Sequence, residues 1–123
     1  AAAVDVAALP MTSRWRVPSD IGRRYGSVSG DRNPIHMSSI AAKGFGFPKA
    51  IAHGMWTKAR SLAALEGRLP EAFEVDVLFK LPVLLPATVE YATRRHGEAW
   101  EFALRSRGSG GGKPHLAGVV TPA

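Results

Sequence analysis

Asp31 and His36 are the strongest candidates for acid–base chemistry in this sequence, within the segment 28–36 (VSGDRNPIH). Histidine titrates close to neutral pH and is suited to proton transfer, and a carboxylate beside it can hold or polarise a water molecule. Between them, Asn33 and Pro34 predict a helix start, because asparagine is a strong N-cap and proline is favoured at the first helical position. The bend at this helix start can direct both side chains toward one space.

Two other interpretations of these residues stay open at this point. The segment can be an ordinary turn, with Asp31 in an Asx-turn, Asn33 as a cap and His36 exposed on the helix; the spacing alone favours this interpretation. A metal site is the second alternative, with ligands drawn from Asp31, His36, His53 and His96. The sequence lacks the close histidine spacing of common metal motifs, so we predict no metal.

A second motif, residues 51–55 (IAHGM), stands at the start of the longest predicted helix. Gly54 has no Cβ, so a ligand can approach its backbone N–H. The N-terminus of a helix offers unpaired N–H groups and partial positive charge, which can stabilise a thioester oxygen as it becomes negative. Close packing of helix on sheet at Gly54, and a buried hydrogen-bonded role for His53, remain alternatives.

The elements that would position these motifs are predicted in the first half of the chain. A short strand is expected over 13–17, followed by helices over 20–25, with Ser19 as N-cap and a break at 26–30, over 34–43 and over 53–66. The longest helix carries apolar residues at steps of three and four, typical of a buried face: Met55, Ala59, Leu62 and Ala63.

The second half alternates apolar and polar residues and predicts strands. We expect them around 73–79, 89–93, 100–105 and 116–121, with a tight turn at 96–97 and a flexible glycine-rich loop tip at 108–112. Helices followed by strands favour the α+β class, with an antiparallel sheet packed on one helix. Such a sheet would need a partner sheet or subunit to cover its remaining apolar surface.

Composition limits the classes of protein. The 123 residues are 46% hydrophobic, which suits one domain with its own core, assigned to 13–123, after a flexible arm or linker remnant over 1–12. The absence of cysteine excludes disulfides and thiolate sites and fits a cytoplasmic protein. We expect neither a signal peptide nor a membrane span. The net charge of +6 comes from scattered residues, so we predict no nucleic-acid binding.

These motifs together resemble the MaoC-like (R)-specific enoyl-thioester hydratases, also called type 2 enoyl-CoA hydratases. The resemblance is carried by Tyr25, by 29–36, by Gly44-Phe45 and by 51–55, and it spans residues 15–66. It implies a hot-dog fold, in which a curved antiparallel sheet wraps a long central helix. It also implies reversible syn addition of water to a trans-2-enoyl thioester in fatty-acid metabolism, without metal or cofactor.

The resemblance implies a role for each matching residue. Asp31 and His36 would hold the water and move protons, Asn33 would support them, and the Gly54 N–H would bind the thioester carbonyl. Contacts with the substrate, a thioester of coenzyme A or of an acyl-carrier protein, are assigned to Ser29, Gly30, His53, Met55 and Trp56. We expect the acyl tail in the gap between helix and sheet near the last two.

One departure bears on assembly. The segment 79–88 lacks the Gly-Asp turn of simple family members and is more similar to the C-terminal half of actinobacterial double-hot-dog dehydratases. The chain is too short to hold both halves, so we expect a homodimer or pairing with a second hot-dog domain. A non-catalytic thioester-binding or assembly domain is the alternative function, and a thioesterase is a weaker one.

Overall fold

The computed structural model describes residues 1–107 and 112–123. The predicted loop tip at 108–112 therefore falls almost wholly outside the described residues. In the described part of the chain one strand precedes the helices and four follow them, and all five form one antiparallel sheet. The elements in chain order are β1 (Met11–Val17), α1 (Ile21–Ser29), α2 (Pro34–Met37), α3 (Ser39–Gly44), α4 (Gly54–Ala63), β2 (Phe73–Phe79), β3 (Ala87–His96), β4 (Ala99–Ser106) and β5 (Pro114–Pro122).

The five strands are ordered β1-β3-β4-β5-β2, and every neighbouring pair is antiparallel. Strands β3 and β4 form a hairpin whose turn contains Gly97 at a φ of 62°, a left-handed conformation that glycine adopts without strain. The predicted α+β class and antiparallel sheet are confirmed. Strands β1 and β2 are the two edges of the sheet.

The two faces of the sheet are covered by different parts of the chain. Large side chains of β3 and β4, such as Val89, Tyr91 and Phe102, point to the face that carries the main core. The opposite face has a row of alanines in register across three strands: Ala92 pairs with Ala103, and Ala103 pairs with Ala117. These small side chains leave room for a segment of chain to pack directly on the sheet.

Residues 1–10 fill that space, which differs from the flexible arm expected from the sequence. Val4, Val6 and Leu9 are buried against the alanine row. The buried Arg105 Nη1 donates hydrogen bonds to the carbonyl oxygens of Val6 and Leu9, at 2.7 and 2.8 Å. Because Arg105 is distant in sequence, the local pattern of the alanine-rich segment held no signal of this contact.

Helix α4 buries a different face from the one predicted. Met55 is 55% exposed and Ala59 is also exposed, whereas the hydroxyl residues Thr57 and Ser61 point into the protein. The Thr57 and Ser61 hydroxyls donate to carbonyl oxygens one turn back in the helix, so burial leaves them satisfied. The Tyr91 hydroxyl donates to the Ser61 carbonyl oxygen, and burial raises the pKa of Tyr91, which keeps that proton in place.

We expect Arg105→Ala to lower the free energy of unfolding by about 2–4 kcal/mol, since it leaves two buried carbonyl oxygens without a donor. It also removes the ion pair with Glu90, whose Oε1 lies 3.1 Å from the Arg105 Nε. Urea unfolding followed by circular dichroism measures the change. The control is Arg16→Ala at an exposed position on β1; equal effects of the two substitutions would contradict the anchoring role.

Candidate active site

Helix α1 carries the chain to the Asp31 turn. It continues to Ser29 and ends at Gly30, which is left-handed with a φ of 83° and donates its N–H to the Gly26 carbonyl oxygen at 2.9 Å. The prediction that the helix breaks at 26–30 is therefore wrong, and Asp20 rather than Ser19 occupies the N-cap position. Gly26 serves close packing instead, because a Cβ there would lie 2.9 Å from the Asp31 carbonyl oxygen.

The turn that follows contains the local bonds of an Asx-turn and a cap. Asp31 Oδ1 accepts from the Asn33 N–H at 3.2 Å, and Asn33 Oδ1 accepts from the Ile35 N–H at 3.3 Å. Helix α2 begins at Pro34, which confirms the predicted start. The prediction of one helix over 34–43 is wrong, because Ser38 is extended and its hydroxyl caps a separate helix, α3.

His36 is not the exposed helix residue of the simple-turn interpretation. Its ring is half-buried, and its Nδ1 donates to the Ile51 carbonyl oxygen at 2.7 Å. A carbonyl oxygen only accepts, so Nδ1 carries the proton, and Nε2 is the nitrogen left for chemistry. The Ile51 N–H donates in turn to the Ile35 carbonyl oxygen at 2.9 Å, which ties the two sequence motifs together.

His53 lies against both Asp31 and His36. Its ring stacks on that of His36 with centroids 3.8 Å apart and an interplanar angle of 20°, and Tyr25 meets it edge-on at 4.8 Å. His53 is 3% exposed, and its Nε2 donates to the Asp31 carbonyl oxygen at 2.7 Å. Within the described part of the chain, its buried Nδ1 lacks a hydrogen-bond partner. His53 therefore contacts both members of the pair.

Asp31, His36 and His53 each have a potential metal-binding atom within 4.8 Å of the others. The arrangement nevertheless does not fit an ion shared by both histidines. A ligating nitrogen lies about 2.0–2.1 Å from zinc along the plane of its ring. The two rings are nearly parallel and stacked 3.8 Å apart, so their lone pairs point along separate planes and do not converge. One nitrogen of each ring is also committed to a carbonyl oxygen.

Gly54 is the first residue of α4, and His53 is the extended residue before it. The first N–H groups of a helix have no acceptor within the helix, so the Gly54 N–H is available to a ligand. A Cβ at this position would lie 3.1 Å from the Phe79 ring, so close packing also favours glycine here. Both interpretations given by the sequence are compatible with this geometry.

A cavity of about 280 Å³ connects His36 with Gly54, and we call it the reaction cavity. Its walls are mainly apolar and include Phe79 and Val83, with Lys80 as a charged member. Of the other residues assigned from the sequence, Ser29 and Gly30 shape the turn, and the Ser29 hydroxyl accepts from the Asp31 N–H at 3.1 Å.

The remaining predicted substrate contacts lie elsewhere. Met55 is exposed to solvent, and Trp56 packs partly against the main core. The sequence analysis missed three other contributors, which are the Ile51 carbonyl oxygen, the Phe79 ring and His115 in the cavity wall. Phe79 and His115 lie outside the sequence motifs, and the bond from Ile51 to His36 joins two motifs that are distant along the chain.

Comparison with known proteins gives concordant matches. The family model described as MaoC like domain matches residues 4–106. The chain is 49% identical over 98 residues to 3-hydroxyacyl-thioester dehydratase X of Mycobacterium tuberculosis, covering 80% of this chain and 34% of that protein. Its structure resembles the crystal structure of HtdX from the same organism, with a TM-score of 0.86 and 44% identity over 93% of this chain and 48% of that one.

A smaller protein matches over most of its length. R-hydratase PhaJ1 from Pseudomonas aeruginosa has a TM-score of 0.65 and 26% identity, covering 97% of this chain and 81% of that one. These likenesses confirm the predicted hot-dog fold. By contrast, the chain spans less than half the length of the Mycobacterium tuberculosis proteins it matches.

We expect Gly22→Ala to unfold the site locally and to lower stability by about 2 kcal/mol or more. A Cβ at Gly22 in α1 would lie 1.8 Å from the His36 carbonyl oxygen, so α1 and α2 would have to separate. Urea unfolding and the imidazole NMR signals of His36 measure both effects. Gly44→Ala in α3 is the matched control, because nothing lies within 4 Å of its added Cβ; similar losses for both variants would refute the argument.

Proposed function

This chain belongs to the family of MaoC-like domains, and we propose that it carries the site of an (R)-specific enoyl-thioester hydratase, which in reverse is a (3R)-hydroxyacyl-thioester dehydratase. The observation that supports this most is that His36 and Gly54, the first residue of α4, line one cavity, and that the Asp31 carboxylate lies beside His36. Potential ligand atoms of Asp31 and His36 lie within 4.8 Å of each other. Two names among the relatives, a thioester dehydratase and an R-hydratase, agree with this chemistry.

In the proposed reaction, different groups activate the water and stabilise the thioester oxygen. Asp31 takes a proton from the water as its oxygen bonds to C3 of the enoyl group. The displaced electron pair moves through C2 onto the thioester oxygen, where the Gly54 N–H stabilises it. In this step His36 carries a proton on each ring nitrogen. It supplies the Nε2 proton to C2 and keeps the Nδ1 proton, which it donates to the Ile51 carbonyl oxygen. Return of the proton from Asp31 to His36 restores the pair.

The neighbouring residues act by holding these groups in place. Asn33 caps α2 and bonds the Asp31 side chain through its N–H, while Ser29 bonds the Asp31 N–H. We propose that His53 is a positioning residue rather than a substrate contact, since its buried ring touches His36 and its Nε2 holds the Asp31 carbonyl oxygen. The same bonds support the alternative of a non-catalytic thioester-binding domain, in which they would only shape the loop.

The substrate in this proposal is a thioester of coenzyme A or of an acyl-carrier protein. Both carry phosphate on the arm that bears the thioester, and the exposed Lys80 at the reaction cavity offers that phosphate a positive charge. Among the described residues, no helix is both long enough and apolar enough to span a membrane. The cytoplasmic location remains a prediction from the sequence.

We further propose that a second hot-dog unit, here another copy of the chain, pairs along β2. This strand lies at the edge of the sheet and bonds to β5 on one side only. An edge with exposed apolar side chains is a ready site for pairing with another strand. Four large apolar side chains at or beside it are 39–47% exposed: Phe73, Leu78, Phe79 and Leu81.

We expect Asp31→Asn and His36→Ala each to lower kcat/KM for crotonyl-CoA hydration by about a hundred-fold or more. Loss of the enoyl absorbance follows the reaction, and a thiol reagent tests for thioester hydrolysis. Asp5→Asn and His96→Ala, both at exposed positions, are the controls. Full rates in the first two variants would overturn the assignment. Binding of acyl-CoA without turnover by the wild-type protein would establish the binding domain instead.

Pairing along β2 predicts a particle of two chains in solution. Leu78→Lys should shift light-scattering mass toward one chain, because it places a charge on the paired surface. Val28→Lys introduces the same charge at a position that is 85% exposed on α1 and should leave the mass unchanged. A wild-type protein with the mass of one chain at all concentrations tested would contradict pairing between copies.

A further inference from the structure

A second cavity, of about 320 Å³, lies directly beyond the reaction cavity. The two cavities share four lining residues, which form the wall between them: Phe47, Leu81, Pro82 and His115. Beyond that wall the second cavity, which we call the tail cavity, is lined mainly by apolar side chains such as Leu84, Ala87 and Val89, with Lys113 as its charged member. Its position therefore continues the path that begins between His36 and Gly54.

The wall has a fixed backbone and adjustable side chains. The Lys80 and Leu81 N–H groups donate to carbonyl oxygens of His115 and Pro114 at 2.9 and 3.0 Å, which ties this segment to β5. In contrast, the Leu81 side chain is 47% exposed and that of Phe47 is only partly buried. Rotation of these two side chains would open the wall and leave the backbone hydrogen bonds intact.

The polar member of the wall is compatible with an apolar ligand. The His115 Nδ1 donates to the Leu81 carbonyl oxygen at 2.9 Å, which satisfies one ring nitrogen. Burial lowers the pKa of His115, so the ring is neutral at physiological pH. An alkyl chain that crosses the wall therefore contacts a neutral imidazole ring and not a charged one.

We propose that the tail cavity receives the far end of the acyl chain, so that this site favours enoyl thioesters with chains longer than crotonyl. The inference rests on the proposed hydratase function. A crotonyl group is short enough to end in the reaction cavity, whereas further methylene groups must continue toward Leu84 and Val89. This places the tail on the side of the β2–β3 connection and not beside Met55 and Trp56, where the sequence analysis expected it.

The test compares kcat/KM for crotonyl-, 2-octenoyl- and 2-dodecenoyl-CoA, measured on the intact protein in its solution assembly. Each methylene group removed from water contributes about four-fold to binding, so the longer substrates should be favoured over crotonyl-CoA by roughly ten-fold or more. Leu84→Trp fills the tail cavity and should lower the ratio of dodecenoyl to crotonyl kcat/KM by roughly ten-fold. Leu69→Trp, a matched change at another half-buried position, should leave that ratio unchanged.

The outcomes separate the two proposals. If no enoyl-CoA is hydrated, the proposed function fails. If crotonyl-CoA is hydrated but the longer chains have no advantage, or the ratio is the same in Leu84→Trp and wild type, the tail-cavity proposal fails alone. If Leu84→Trp does not fold, Thr88→Trp fills the same cavity from an exposed position on β3 and gives the same comparison.

Discussion

The site depends on two hydrogen bonds between chain segments that lie fifteen residues apart. His36 donates from Nδ1 to the Ile51 carbonyl oxygen, and the Ile51 N–H donates to the Ile35 carbonyl oxygen. The first bond sets which nitrogen of His36 is open, and the second holds the helix that carries it. Without these two bonds, the Asp31 turn would still form from its own local bonds. The bond from His53 Nε2 to the Asp31 carbonyl oxygen would then be left to hold the turn to the start of α4.

The same segment also connects the site to the sheet. Ala52 donates its N–H to the Val83 carbonyl oxygen, Leu85 donates to the Ala50 carbonyl oxygen, and Ile51 bridges Leu84. Residues 50–52 thus pair with the β2–β3 connection on one side and hold α2 on the other. Since a hydrogen-bonded extended segment resists displacement, the histidine nitrogen and the Gly54 N–H keep their separation as substrate enters.

The features that could be predicted from the sequence are those held by bonds between neighbouring residues. The Asn33 cap, the helix start at Pro34 and the strand over 73–79 depend on a few adjacent residues, and they were predicted correctly. The face of α4 was predicted wrongly because hydroxyl groups bonded to their own helix can be buried as readily as apolar ones, which leaves Met55 outside. His53 stacks on His36 and so joins the two sequence motifs. No local pattern indicates that these motifs lie close together in space.

The two proposals assign the chemistry and the selection of chain length to separate parts of this chain. The proposed reacting groups lie between Asp31 and Gly54 and are fixed by α1, α2 and the start of α4. The wall and the far cavity are formed largely by residues within 79–89 together with Ser106, Lys113 and His115, which contribute no reacting group. A substitution in the β2–β3 connection can therefore alter the space for the tail while the bonds to Asp31 and His36 persist. The fold thus permits substrate length to change without rebuilding the acid–base pair.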